Sequence, residues 1–344
     1  MPKTNPIKKL IKRSYQHFAA RYGSHKRNDK TPRLLVLMYH RILPADAMQA
    51  KFEEPGMMVT PETFENNLIL LSELFEFTTL SKWIERKNSG QTLPQKACVI
   101  TFDDGWADNY EYAFPVLKKM NIPATIFAVA EMLNTHAQFW PERLARVVYW
   151  LAKHQPDALS DPSLAWIRTD QQGIRFSDSL PNNEELSVLI GQAKRFNDSE
   201  IHAYLDNIEQ QFAIDACDLK PSLLSWTQLK EMHDSGLIDV GSHTCHHIRL
   251  NEKVSEDTIQ YEITASKQIL EKQLGGPINT FCFPNGDYSN YSLSVVKQNY
   301  AAAVTTQQGW NTDQQDNHLL QRIGVHEDAA KDPIAFQALI SGWH

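Results

Sequence analysis

Two segments of this 344-residue chain combine residue types that do metal or hydrolytic chemistry. TFDDGW sets Asp103 beside Asp104 at the end of an apolar run, with Gly105 following to let the chain turn. Neighbouring side chains on an extended backbone point opposite ways, so one carboxylate can bind a cation while the other stays free as a base. Asp-Asp-Gly is also an ordinary turn sequence, and alone it does not decide. GSHTCHH places His243 and His247 four residues apart. That spacing brings two imidazoles together on one helical turn or tight loop and can chelate a divalent cation, although histidine pairs are as often surface features. His246 is close enough to His243 to compete for the pairing. Two histidines plus one carboxylate, with positions left open, form a catalytic shell for zinc or ferrous iron.

Both segments end apolar runs, and seven such runs read as strands: 34–40, 97–104, 124–130, 238–244, 280–285, 301–306 and 319–326. They are continuous rather than alternating, as in strands of a parallel sheet covered on both faces. Helical segments separate most of them, one starting at Thr60-Pro61 with Phe64, Leu68, Leu71 and Phe75 on one stripe. The alternation implies an α/β barrel or a doubly wound sheet. Six runs carry a polar or unusual residue near the C-terminal end: His40, Asp103 with Asp104, His243, Pro284 with Asn285, Thr305 with Thr306, and His326. That end is where parallel α/β folds build sites. Residues 135–220 break the pattern and read as a helical insertion, either capping the site or purely structural.

At these residues the chain resembles the polysaccharide deacetylase family, also called NodB-homology or carbohydrate esterase family 4. TFDDG is similar to the first family motif, HTCHH to H-[ST]-x-x-H, FCFPNG to a branch of the third motif, and LLQRIGVH to the last motif ending in histidine. The resemblance spans roughly residues 34–330 outside the insertion. It implies a distorted (β/α)7 barrel, with a basic N-terminal arm at 1–33, barrel segments at 34–134 and 221–344, and the insertion at 135–220. It further implies a divalent metal, zinc first and cobalt, nickel or iron as alternatives, held by Asp104, His243 and His247. Asp103 would be the general base, His326 the general acid, and the Asn285 N–H in the Pro284-Asn285-Gly286 loop an oxyanion donor. The substrate implied is an acetylated amino-sugar glycan.

The chain departs from the family at Cys282, where many members carry an arginine that pairs with the base. Arg322, on the last strand, is expected either to orient Asp103 instead or to pair with an unrelated carboxylate of the barrel wall. His40 either lines the pocket or is a core histidine. Trp310 either stacks on a sugar ring or packs in the ordinary way.

Composition narrows the partners. Residues 1–33 hold ten Lys or Arg against one acid, +9, whereas the remainder balances to −16 of the total −7. The acidic body argues against nucleic acid. In the arm Ile7, Leu10, Ile11, Tyr15, Phe18 and Tyr22 recur at helical spacing, so residues 7–22 either contact an anionic membrane surface or pack on the main domain. Cys98, Cys217, Cys245 and Cys282 fit no disulfide framework, and no signal-like or membrane-spanning apolar stretch is present. The expectation is a cytoplasmic protein, with membrane association through the arm. Competing activities are an O-deacetylase, a deacetylase of a small or lipid-linked sugar, a non-haem iron oxygenase using the same shell, and an inactive carbohydrate-binding protein.

Overall fold

A computed structural model of the chain describes residues 6–27, 31–47, 56–168, 173–214 and 222–343. Cys217 and the insertion's far boundary lie outside the described residues. Seven strands form the frame: β1 (Arg33–Tyr39), β2 (Lys96–Phe102), β3 (Ala124–Ala128), β4 (Ile238–Ser242), β5 (Thr280–Cys282), β6 (Ala302–Gln308) and β7 (Leu320–Gly324). Each pairs in parallel with the next, and β1 pairs with both β2 and β7, which closes the sheet into a barrel. Each of the seven apolar runs overlaps one of these strands.

The strands lack polar alternation because each face meets a different apolar environment. Leu35, Leu37, Cys98 and Ile100 join the large cluster that includes Phe64, Leu68 and Leu71 of the Pro61–Ser72 helix. Leu34, Val36, Ala97, Val99, Val304 and Leu320 form a second cluster with Leu80, Trp83 and Ile84 of the Leu80–Asn88 helix. The alternation of pleated side chains thus sends odd and even residues of β1 to two separate cores. The Pro61–Ser72 helix starts where Thr60 accepts the Thr63 N–H and proline occupies the first turn.

Between β3 and β4 the helices Trp140–His154, Asn183–Ala193 and Asp198–Gln211 share a third core, including Leu144, Val148, Leu151, Ile190, Leu205 and Ile208. Arg249, just after β4, ties this unit to the barrel. Its Nε and backbone N–H donate to the two carboxylate oxygens of Asp198, each at 2.9 Å, and its Nη1 to the Lys194 carbonyl at 2.9 Å. The N-terminal arm forms the Pro6–Tyr22 helix, which packs on the Pro333–Leu339 helix and buries Ala19 and Ala20.

Candidate active site and metal centre

The C-terminal ends of the strands open into a cavity of about 320 Å³ lined by His40, Asp103, Asp104, His243, His247, Asn285 and Thr306. Met38 and Met57 of the barrel and Trp140, Pro141 and Lys194 of the insertion complete much of the wall. The insertion therefore contributes to the cavity as well as enclosing its own core.

Backbone conformation explains how both aspartates face this space. Asp103 follows β2, and Asp104 takes a left-handed φ of 76° before Gly105 at 82°. Strict strand alternation would send the two carboxylates apart; the left-handed turn returns Asp104 to the same side. Thr244, His247 and Asn285 also have positive φ, at 68°, 60° and 56°. Non-glycine residues hold such conformations at a cost of order 1 kcal/mol each, and the surrounding packing must enforce them.

Asp104 and the two histidines converge. Asp104 Oδ1 lies 3.4 Å from both His243 Nε2 and His247 Nε2. It is buried and finds no hydrogen-bond partner, whereas Asp104 Oδ2 accepts the Trp106 Nε1–H at 2.9 Å. An orphaned carboxylate oxygen between two imidazole nitrogens fits a cation: donors about 2.1 Å from a tetrahedral centre lie about 3.4 Å from one another. His243 Nδ1 sits 2.8 Å from the Cys282 carbonyl, which can only accept, so this nitrogen carries a proton and Nε2 is the atom turned toward Asp104. Burial opposes protonation of this ring, but Cys282, Asp104 and Asp103 raise its pKa, so a cation would take the place of a proton on Nε2. Phe139 packs edge-on against His247, 5.0 Å between ring centroids. Burial lowers the His247 pKa to about 4, keeping that imidazole neutral for coordination.

His246 is diverted elsewhere. Its Nδ1 is 2.7 Å from Glu262 and its Nε2 3.0 Å from Glu131, while Glu262 also accepts the backbone N–H groups of Cys245 and His246. Glu262, buried on the Glu256–Leu274 helix, thus anchors the His-Thr-Cys-His-His loop and resolves which histidine pairs with His243.

Asp103 is held differently. Arg322 Nη1 donates to Asp103 Oδ1 at 2.6 Å and Nη2 to Oδ2 at 2.8 Å. The remaining guanidinium donors reach Thr305 O, Thr101 Oγ1 and Cys282 Sγ, so all five N–H groups of this fully buried side chain are used. Burial opposes ionisation of Asp103, but the charge and hydrogen bonds of Arg322 outweigh it and hold the carboxyl below its usual range. Burial pushes the Cys282 thiol up, leaving it a neutral group that donates weakly to Asp103 Oδ2 at 3.5 Å. Asp103, His243 and Cys282 also cluster. A protonated thiol and a carboxylate already paired with arginine make that group a poor cation site.

The two strand-end histidines, His40 and His326, sit in different surroundings. His40 lines the cavity with Nε2 3.9 Å from Asp103 Oδ2. His326, assigned as general acid from the last motif, is the half-buried N-cap of the Glu327–Ala330 helix and is not among the cavity-lining residues. Because β1 and β7 are adjacent, a histidine after either strand end could reach this region; the one after β1 does. Asn285 lines the cavity, whereas Pro284 is buried beneath the turn. A side chain at Gly286 would meet Thr306 Oγ1 at 2.1 Å, so the turn needs glycine there. Trp310 takes the packing alternative. It packs on Phe75 and donates to the Ile340 carbonyl at 3.1 Å, outside the cavity lining, so it offers no platform for a sugar there.

Sequence reasoning missed Trp106, Phe139, Glu262 and the contributions of Trp140 and Lys194. Only Trp106 carried a local signal, two residues beyond Asp104.

Residues 90–155 and 194–304 match the family described as polysaccharide deacetylase. The chain belongs to the polysaccharide deacetylase family. Membership makes it a hydrolase of the amide-bond class. Among relatives, a Bacillus subtilis polysaccharide deacetylase is 25% identical over 52% of this chain and 62% of its own length. A Staphylococcus epidermidis poly-β-1,6-N-acetyl-D-glucosamine N-deacetylase is 24% identical over 90% of this chain and 82% of its own. Solved structures share the deacetylase fold. Streptococcus pyogenes PplD, in complex with acetate, superposes with a TM-score of 0.58 at 18% identity, covering 92% of this chain and all of that one. IcaB from Ammonifex degensii gives 0.55 at 19% identity, covering 90% and 97%.

Proposed function

We propose that this deacetylase removes N-acetyl groups from a β-linked N-acetylglucosamine polymer, using a divalent metal held by Asp104, His243 and His247. The observation that carries the reading is the orphaned Asp104 Oδ1 between two histidine nitrogens, beside a separate carboxylate clamped by arginine. The staphylococcal relative, named for poly-β-1,6-N-acetyl-D-glucosamine, suggests the polymer. Zinc suits two imidazoles and one carboxylate with positions left open, and cobalt, nickel or iron share that preference in part.

When bound, a cation of this kind supplies Lewis acidity toward an amide oxygen and makes water more acidic. The chain's residues do the rest. Asp103, ionised against Arg322, takes the proton of the attacking water. The backbone N–H of Asn285 is proposed to face the developing oxyanion, an interaction worth roughly 3–4 kcal/mol for one donor in other enzymes. His40, 3.9 Å from Asp103, is proposed to protonate the departing amine, with His326, after the adjacent β7, as the alternative donor. The C–N bond breaks, acetate forms, and the amine leaves neutral. Trp140, Pro141, Met38 and Met57 give the cavity apolar surface suited to the C–H faces of a pyranose.

The test is acetate release from β-1,6-linked N-acetylglucosamine oligomers, with O-acetylated and monomeric sugars in parallel. Loss of release in chelator, its return with zinc, and its absence in Asp103→Asn support the proposal. Release that survives chelation and both Asp103→Asn and His243→Ala refutes it, and a preference for O-acetyl or monomeric sugars corrects the substrate.

A further inference from the structure

The arm helix shows one side that the fold does not cover. Ala19 and Ala20 are buried, the helix packs on the Pro333–Leu339 helix, and Gly23 sits so close to Ser341 that a Cβ would lie 2.5 Å from the serine Cβ. Tyr15 Oη donates to the Trp343 carbonyl at 2.9 Å, and the Ser24 N–H donates to Ser341 O at 2.7 Å. The helix is thus seated, yet Leu10, Ile11, Tyr15, Phe18 and Tyr22 stay 46–69% exposed. Ile11, Tyr15, Phe18 and Tyr22 follow the spacing i, i+4, i+7, i+11, which puts them on one stripe. Seating uses the small alanines and leaves the large apolar side chains outward, the reverse of what packing on the domain alone would favour.

Charge identifies what covers the stripe. Lys9, Lys12, Arg21 and Arg27 are exposed around it, within an arm of +9 attached to a body of −16. Trp343 lies beside the stripe, 5.5 Å from Phe18 between ring centroids, with Arg27 5.2 Å above its ring. Aromatic rings flanked by Lys and Arg on an amphipathic helix are the composition of a segment lying in a lipid headgroup layer. No helix among the described residues is long and apolar enough to cross a membrane. We propose that the Pro6–Tyr22 helix lies flat on an anionic phospholipid bilayer, inserting Ile11, Phe18 and Tyr22 while its cations meet the headgroups.

The attachment runs along the barrel wall. Just past the C-terminal end of the helix the His25 carbonyl accepts the Lys96 Nζ–H at 3.4 Å, and Lys96 begins β2; nearer the N-terminal end Arg13 Nη1 donates to Asp332 Oδ1 at 3.0 Å, beyond the end of β7.

Co-sedimentation of the full chain with vesicles tests this, comparing phosphatidylcholine alone with an equal mixture of phosphatidylcholine and phosphatidylglycerol. Binding to the mixed vesicles only, weakened by salt, is expected. Lys9→Gln with Lys12→Gln should weaken it roughly thirtyfold. Leu10→Glu with Ile11→Glu should abolish it while the far-UV circular dichroism and the melting temperature hold, since both residues are exposed. Equal binding to both vesicles, no binding to either, or insensitivity to both pairs of substitutions overturns the proposal. So does a concentration-dependent dimer, seen by light scattering, that disappears in Leu10→Glu with Ile11→Glu while vesicles are ignored.

Discussion

Arg322 and Asp103 form a bidentate, fully buried ion pair across the barrel interior, 219 residues apart in sequence, with both oxygens of the base within 2.8 Å of the guanidinium. Removing one member of a buried pair leaves an uncompensated charge, a loss on the order of 3–5 kcal/mol. Arg322→Met should lower the melting temperature accordingly. It should also move the acid limb of the pH–rate profile upward, because Asp103 loses the charge that keeps it ionised. Arg322→Lys should restore part of the stability but not the fork of two parallel hydrogen bonds. An unmoved acid limb in Arg322→Met would mean that Asp103 is not the titrating base.

Metal content should separate the three histidines of the GSHTCHH segment. Asp104→Ala, His243→Ala or His247→Ala should abolish zinc retention after dialysis, measured by elemental analysis. His246→Ala should retain the metal, since both ring nitrogens of His246 are engaged by Glu131 and Glu262. Trp106→Phe removes the hydrogen bond that orients Asp104 and should weaken metal affinity by about 10–100-fold.

Glu262 holds two backbone N–H groups of the metal-binding loop as well as the His246 ring. Glu262→Ala would leave those donors buried and unpaired, at a cost of about 1–3 kcal/mol each. Hydrogen exchange confined to residues 243–247 should rise. Glu262→Gln, which keeps an acceptor, should recover most of the protection.

The insertion depends on Arg249. Arg249→Met strands the buried Asp198 carboxylate and frees the Lys194 carbonyl. Because Arg249 itself lines the cavity together with Trp140 and Lys194, KM should rise more than kcat falls, alongside a lower melting temperature. A fall in kcat alone would mean that neither Arg249 nor the insertion it holds contributes to substrate binding.

His25 sets a pH dependence away from the cavity. Burial, with the nearby Lys26 charge, lowers its pKa from the usual 6.5 to about 4. Between those values the unfolded chain binds a proton that the folded chain refuses, so stability contributed by neutral His25 is present above pH 6.5 and lost as pH falls toward 4. The melting temperature of His25→Gln should fall less than that of the wild type over this window.

The sequence alone determined the features set by short-range periodicity. Seven continuous apolar runs, the Thr60-Pro61 helix start, the Asp103-Asp104 pair and the His243-x-x-x-His247 spacing are all local patterns, and the runs by themselves fit a barrel or a doubly wound sheet; the family resemblance pointed to the barrel that the strand pairing closes. What only the tertiary structure decided involves residues far apart or backbone angles that sequence does not report. The left-handed Asp104 turned both carboxylates inward, and barrel closure brought Arg322 to Asp103. Closure also set His40 Nε2 3.9 Å from the carboxylate of the base, and Trp310 packed onto Phe75. Residue types state which chemistry a chain can do; closure of the barrel decides which of them share a solvent-excluded space, because that depends on strand register and packing summed over the whole sheet.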